Sequence, residues 1–266
     1  MIEQKMPARS LPLIFLAVVI LCAAFIHANT PELERREIPP DSKEVLCVNL
    51  GPDCFAAGYK YRKAAYPFDW VLTLDTERFL EILEDDFKHY LDPTYYTIHT
   101  NGAIIHTYYH LEFRHEHDNE FYAKYKRRIE RFRALAGYQG KVVFLRRGYA
   151  GADDPLFYWP NREALVISTE WAFKLNTILK KKFPSLDYYL GILNYPEDEN
   201  YYFQIFDRLV FFELDGDVHD LMEFMVDTMA NCNGYPQGVP IPVDVLPKPH
   251  VRDSSSSEPV LCDKSF

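Results

Sequence analysis

Residues 44–70, EVLCVNLGPDCFAAGYKYRKAAYPFDW, constrain the fold more than any other stretch. The apolar run 44–50 reads as a buried strand, and Gly51-Pro52 breaks it. Cys54 follows at once and opens a segment, 54–61, that can form a short helix. A strand that delivers a cysteine to a turn and a helix N-terminus puts the thiol beside unpaired backbone N–H groups. Such groups favour the thiolate and can hold an anion. The stretch closes on Tyr66-Pro67-Phe68-Asp69-Trp70, a rigid aromatic turn with one carboxylate inside it.

The remaining pattern alternates strands and helices. Strands are expected near residues 45, 142, 188 and 209. Helices are expected over 76–90, 120–136 and 217–229 from apolar stripes at helical spacing, and 162–183 can carry one more, weakened by the β-branched run near Val166. Asp75 stands where a helix cap belongs, and Pro93 and Pro184 close two of the helical regions. Asn101-Gly102 between two alternating runs predicts a hairpin over 95–110. The expected fold is α/β: a mixed, mainly parallel sheet with helices on both faces, in one domain after an N-terminal hydrophobic segment.

The ends differ from the body. Residues 1–28 place Lys5 and Arg9 before an uncharged run, 11–26, and read as a signal anchor or a cleaved signal peptide. Residues 29–43 read as a proline- and charge-rich linker, 44–246 as a cysteine-dependent α/β body in one piece, and 247–266 as a serine-rich flexible tail. This layout implies a single-pass membrane protein, held through residues 11–28, with a lumenal or extracellular domain. The alternative is a secreted protein. The body contains about 210 residues once both ends are set aside, enough for one sizeable core. Its 19 tyrosines and 19 phenylalanines fit a packed interior. A net charge of -10 disfavours nucleic acid as a partner. Five cysteines are too few for a disulfide framework, although Cys232 and Cys262 can pair in an oxidising compartment. Cys47 reads as a small core residue. The sequence does not define an oligomeric state.

Candidate chemistry centres on Cys54 as nucleophile. Its alternative is a buried small residue at a tight turn. His106, at the end of the hairpin, is the first candidate base. Asn49 can stabilise an oxyanion or cap the Gly51 turn. Asp69 can orient His106 or hold its own turn with backbone N–H groups. His115 and His117 have metal-like spacing, but such spacing is common in a histidine-rich stretch, and no metal or other cofactor is assigned. Lys124, Arg127, Arg128 and Arg131 line one side of the helix over 120–136, so Arg127 and Arg131 are candidate anion-binding residues; a solvated charged face is the plainer reading. Asp153-Asp154 lies in a loop-like stretch and suits the divalent ion of a sugar transferase.

The segment Cys47-Val48-Asn49-Leu50-Gly51-Pro52-Asp53-Cys54-Phe55-Ala56-Ala57, with Tyr66-Pro67-Phe68-Asp69-Trp70, resembles the signature of a papain-like cysteine peptidase family. Arg127-Arg128-Ile129-Glu130-Arg131-Phe132 and Phe144-Leu145-Arg146 extend the resemblance over roughly residues 45–195. Gly102 to His106 fits the family's histidine region, although Thr107 stands where an acidic residue is common. The resemblance implies a Cys54–His106 pair that attacks an amide or acyl bond in a peptide or acyl substrate. The alternating α/β pattern is unlike a papain body. Two other functions remain open on the residues alone: a lumenal, membrane-anchored glycosyltransferase, and a non-catalytic module that binds anions or protein.

Overall fold

Strand β1, Leu46–Asn49, is buried along its whole length, as an apolar run bounded by a Gly-Pro turn requires. It forms the edge of a six-stranded sheet with β6 (Lys141–Arg147), β7 (Asp187–Asn194), β9 (Leu209–Glu213), β8 (Tyr202–Phe206) and β10 (Ile241–Pro242) beyond it in that order. The computed structural model describes residues 38–52, 63–73, 75–100, 102–113, 116, 120–148, 166–194, 202–213, 224–226, 228–229 and 237–242. Strands β1, β6, β7 and β9 run parallel, while β8 is antiparallel to both β9 and β10.

A second sheet was only half foreseen. β2 (Val71–Leu72), β5 (Leu111–Phe113), β4 (Ile104–His106) and β3 (Tyr96–Ile98) form four antiparallel strands in that order. The β3–β4 pair is the hairpin expected from Asn101-Gly102, with Gly102 at a φ of +86°, where glycine carries no Cβ penalty. β2 and β5 are too short for a period of two to be legible. The fold is thus α/β with mixed parallel and antiparallel strands and flanking helices, and a separate antiparallel sheet qualifies the expectation of a mainly parallel one.

Three helices share one face of the large sheet. α1 is Thr76–Glu84, α2 is Phe121–Ala134 and α3 is Thr169–Lys182. Phe79, Tyr125, Phe132 and Leu175 pack there with Leu46, Val48, Phe144 and Leu190. The alternate strand residues, among them Cys47, Val143 and Leu145, face Met225, Val226 and Met229 on the other side. Cys47 is therefore the small core residue expected. α1 ends earlier than its apolar stripe suggests. Asp86 takes a φ of +57° and Phe87 one of +63°, so the helix cannot continue. Arg133 of α2 donates to the Asp86 carboxylate at 2.8 Å, and Lys182 at the end of α3 reaches the same carboxylate. α3 starts later than expected, at its Ser168 cap, whose Oγ accepts from the Trp171 N–H at 3.2 Å.

Among the described residues no helix is long and apolar enough to cross a membrane. α2 and α3 have 14 residues each, about 21 Å of rise, against the roughly 30 Å of a bilayer core, and charged residues interrupt both. That finding corrects the expectation of a membrane partner and of a signal-anchored, single-pass protein with a lumenal or extracellular body. The segment 11–28, on which that expectation rested, lies outside the described residues.

Candidate functional site

The carboxyl end of β1 is built from one amide, one glycine and one guanidinium. Asn49 Oδ1 accepts from the Gly51 N–H at 3.0 Å, and its Nδ2 donates to the Phe68 carbonyl at 3.4 Å. The side chain therefore caps the Gly51 turn and ties it to the aromatic turn. Gly51 sits at a φ of +88°, and a Cβ there would lie 2.2 Å from Thr73 Oγ1 and 2.5 Å from Arg146 Nη1. Only glycine satisfies both demands. Arg146, fully buried near the end of β6, donates to the Leu50 carbonyl at 2.6 Å and the Thr73 carbonyl at 2.6 Å, and also to Thr73 Oγ1. Its guanidinium lies 4.5 Å from the centre of the Phe79 ring. A planar fork of five donors can satisfy several carbonyls at once, which a lysine cannot. Thr73 completes the corner by donating its N–H to the Pro52 carbonyl at 2.7 Å.

Asp69 holds the aromatic turn. Its Oδ2 accepts from the Tyr66 N–H at 2.7 Å, and its carbonyl accepts from Arg128 at 2.9 Å. Arg131 donates to the Ala65 carbonyl, and the Tyr90 hydroxyl donates to that of Pro67 at 2.7 Å. Helix α2 thus clamps the turn with two of the arginines that the sequence placed on a solvated or anion-binding face. Arg128 is 1% exposed and lies 3.7 Å from Glu116, which Lys124 also meets at 2.5 Å. Arg127 stays near the surface, 3.8 Å from Glu120. Of the two arginines proposed as anion ligands, Arg131 is engaged with backbone and Arg127 faces a carboxylate.

His106 lies in β4, fully buried. Its Nε2 is 2.9 Å from the His89 carbonyl, and its Nδ1 accepts from the Tyr109 N–H at 3.1 Å. A carbonyl can only accept, so the proton sits on Nε2 and Nδ1 carries the lone pair. Tyr96, Tyr109 and Tyr95 surround the ring at centroid distances of 4.8, 5.0 and 5.8 Å. Burial holds the imidazole below its ordinary pKa of 6.5, against a smaller opposing pull from the His89 carbonyl. Both ring nitrogens are engaged with backbone in this arrangement, and Asp69 is hydrogen-bonded to its own turn.

Four residues later the second imidazole has a different setting. His110 Nδ1 lies 2.6 Å from Asp75 Oδ2, with the two side chains 37% and 33% exposed. The other oxygen of Asp75 caps α1 by accepting from the Arg78 N–H at 3.0 Å. The sequence identified Asp75 as a cap but carried no sign of the imidazole, since the partners are 35 positions apart. Cys54 lies outside the described residues, two positions beyond Pro52. His115, His117, Asp153 and Asp154 also lie outside them. Among the described residues no group of three or more histidine, cysteine, aspartate or glutamate side chains is placed to hold a metal. Asn194 grips the backbone of Ile167 through both amide atoms, at 3.1 and 3.0 Å, and Asp207 pairs with Lys180 at 2.9 Å. Both of these later polar residues are thereby accounted for structurally.

No family model matches the chain, and no curated protein or solved structure is significantly similar to it.

Proposed function

We propose that this protein is a thiol-dependent hydrolase that opens an amide or acyl bond through Cys54. The observation that carries the reading is the position of the Gly51-Pro52 turn. It leaves the carboxyl end of a buried parallel strand, the edge at which open α/β sheets assemble their sites. Cys54 is two residues further on, within about 7 Å of extended chain. Asn49, Thr73 and Arg146 hold that corner rigidly, which suits a nucleophile that must be positioned to well under an ångström. The resemblance of residues 47–57 and 66–70 to papain-like cysteine peptidases supports the same chemistry. The thiolate attacks the carbonyl carbon, the amine or alcohol leaves with a proton, and water then releases the acyl group from sulfur.

The test is the rate of Cys54 alkylation by iodoacetamide as a function of pH on the full chain, with labelled residues identified by mass spectrometry. Rapid labelling well below the free-thiol value of about 8.5 supports an activated thiol. Hydrolysis of a fluorogenic ester and amide panel, lost in Cys54→Ala, would establish the reaction. Labelling that begins only above about pH 8, with no hydrolysis, would overturn the proposal.

A further inference from the structure

We propose that the open edge of β3 is a self-association surface, on which a second copy of this chain pairs antiparallel about Ile98 and joins the two small sheets into a continuous one. The inference is independent of the thiol-hydrolase reading.

The backbone sets the register. β3 is last in the order β2-β5-β4-β3, so one side of it has no strand neighbour among the described residues, while β2 at the opposite edge is buried. Thr107 donates its N–H to the Tyr95 carbonyl at 2.8 Å, and His99 donates to the Ala103 carbonyl at 2.9 Å. Bonded and non-bonded pairs alternate along an antiparallel ladder. With Tyr96 opposite His106 and Ile98 opposite Ile104, residues 96 and 98 therefore turn their N–H and C=O groups away from β4. The Tyr96 N–H is already used, donated to the Pro93 carbonyl. What the open edge offers is the Ile98 N–H, the Ile98 carbonyl and the Tyr96 carbonyl. Two copies centred on Ile98 exchange both bonds between their Ile98 residues, and each Tyr96 carbonyl faces the copy's chain just beyond its own Ile98. A pairing centred on Tyr96 or Thr97 needs the Tyr96 N–H that Pro93 holds. The edge is thus self-complementary about one residue.

The side chains supply what a three-residue strand lacks. Tyr96, Ile98 and Ile104 share one face of the sheet, by the period of two and the register. Phe121 and Tyr122, at the start of α2, meet the Tyr96 ring at centroid distances of 5.3 and 5.7 Å. Together these five residues border an open slot of about 470 Å³ beside the edge. Ile98 is 76% exposed and Tyr122 44%, so both leave large apolar surface in solvent in a single copy. Pairing about Ile98 sets the copy's Ile98 beside this one on the same face, over the slot, and covers both. Charge favours a copy as the occupant. The chain has a net charge of -10, yet residues 93–111 contain no Asp, Glu, Lys or Arg. A two-fold contact brings a side chain near its own duplicate, so an uncharged strip is what self-pairing requires. The same strip offers a charged foreign peptide no partner and lacks the lysines that keep exposed edges apart.

The test is analytical ultracentrifugation of the full chain from about 1 to 100 μM, for wild type and Ile98→Lys, with cross-linking of Ile98→Cys beside it. The Ile98 side chain lies in solvent in a single copy, so neither change should disturb the fold, and thermal unfolding checks each variant. Wild type is expected to be a dimer that dissociates on dilution. Ile98→Lys should weaken the dimer by at least about tenfold, because it sets two like charges side by side at the centre of the pairing. Ile98→Cys should give a disulfide-linked dimer under mild oxidation, well above the level seen for wild type and for Thr97→Cys. The Cα atoms of a hydrogen-bonded antiparallel pair lie about 5.5 Å apart, within disulfide reach, and in this register two Thr97 residues are offset along the strands. A wild type that stays monomeric at about 100 μM would overturn the proposal and leave the slot to a different strand. An undiminished dimer in folded Ile98→Lys, or an Ile98→Cys variant that cross-links no better than Thr97→Cys, would place the contact elsewhere and overturn it too. If Ile98→Lys fails to fold, the cysteine pair alone decides.

Discussion

His106 ends β4 and His110 ends the four-residue turn that follows it, yet their surroundings share almost nothing. His106 Nε2 donates inward to a carbonyl, its Nδ1 accepts a backbone N–H, and three tyrosine rings enclose it. His110 sits in a positive-φ position with Nδ1 against a helix-capping carboxylate and a third of its side chain in solvent. The first arrangement is what a core needs from a buried polar ring: every hydrogen-bonding atom satisfied. The second ties a half-exposed ring to the cap of a helix, on the border between core and solvent. Histidine type and hairpin position do not distinguish them, because both follow from what the turn packs against.

The comparison is sharpened first by His106→Ala. This substitution empties a buried site and strips partners from the Tyr109 N–H and the His89 carbonyl. A loss of about 3–5 kcal/mol is expected in denaturant unfolding. A loss below about 1 kcal/mol would mean that His106 is not the structural imidazole described. Gly51→Ala comes next, at about 2 kcal/mol or more. The new methyl meets Thr73 and Arg146 at a φ that disfavours alanine. Near-wild-type stability would show that the corner beside Cys54 is looser than the structure implies.

The pH dependence tests the buried imidazole. The folded-state pKa of His106 is lowered, so above about pH 6.5 both the folded and the unfolded ring are neutral and nothing is gained or lost. Below that value the unfolded ring takes a proton that the folded ring resists. Stability therefore falls as pH drops through 6.5, at up to about 1.4 kcal/mol per pH unit, until the folded ring titrates too. Urea unfolding between about pH 7 and 5 measures that slope, and His106→Gln should flatten it. A slope unchanged in His106→Gln would move its origin elsewhere.

Smaller effects test the cap. Asp75→Ala should cost about 1 kcal/mol through loss of the N-cap, and Asp75→Asn a few tenths at most. His110→Asn should change stability by less than about 0.5 kcal/mol, because its side chain lies near the surface. An equal, large loss at 106 and 110 would erase the contrast between the two rings.

Much of the fold was legible along the chain. β1, β6, β7 and α2 fall where apolar runs and helical stripes put them, since buried parallel strands and amphipathic helices write their periods into the residues. The hairpin followed from Asn101-Gly102. The small sheet was legible only in part, because β2 and β5 are too short to show alternation. α1 stops at Glu84 although Phe87 continues its stripe, since α2 and α3 bring Arg133 and Lys182 onto Asp86. Of the site, the Asn49 cap on Gly51 was visible because its partner is two residues away. The roles of Arg128, Arg131 and Arg146 were not, because their acceptors lie 59, 66 and 96 positions away.

The sequence by itself determined the alternation of elements, the break after β1 and the inventory of reactive residues, because these depend on neighbours within a turn or two. Tertiary structure alone decided which arginines became clamps, which histidine was enclosed by tyrosines and which was joined to Asp75. Those outcomes depend on contacts between residues far apart in the chain, where local periodicity carries no information and burial sets the chemistry.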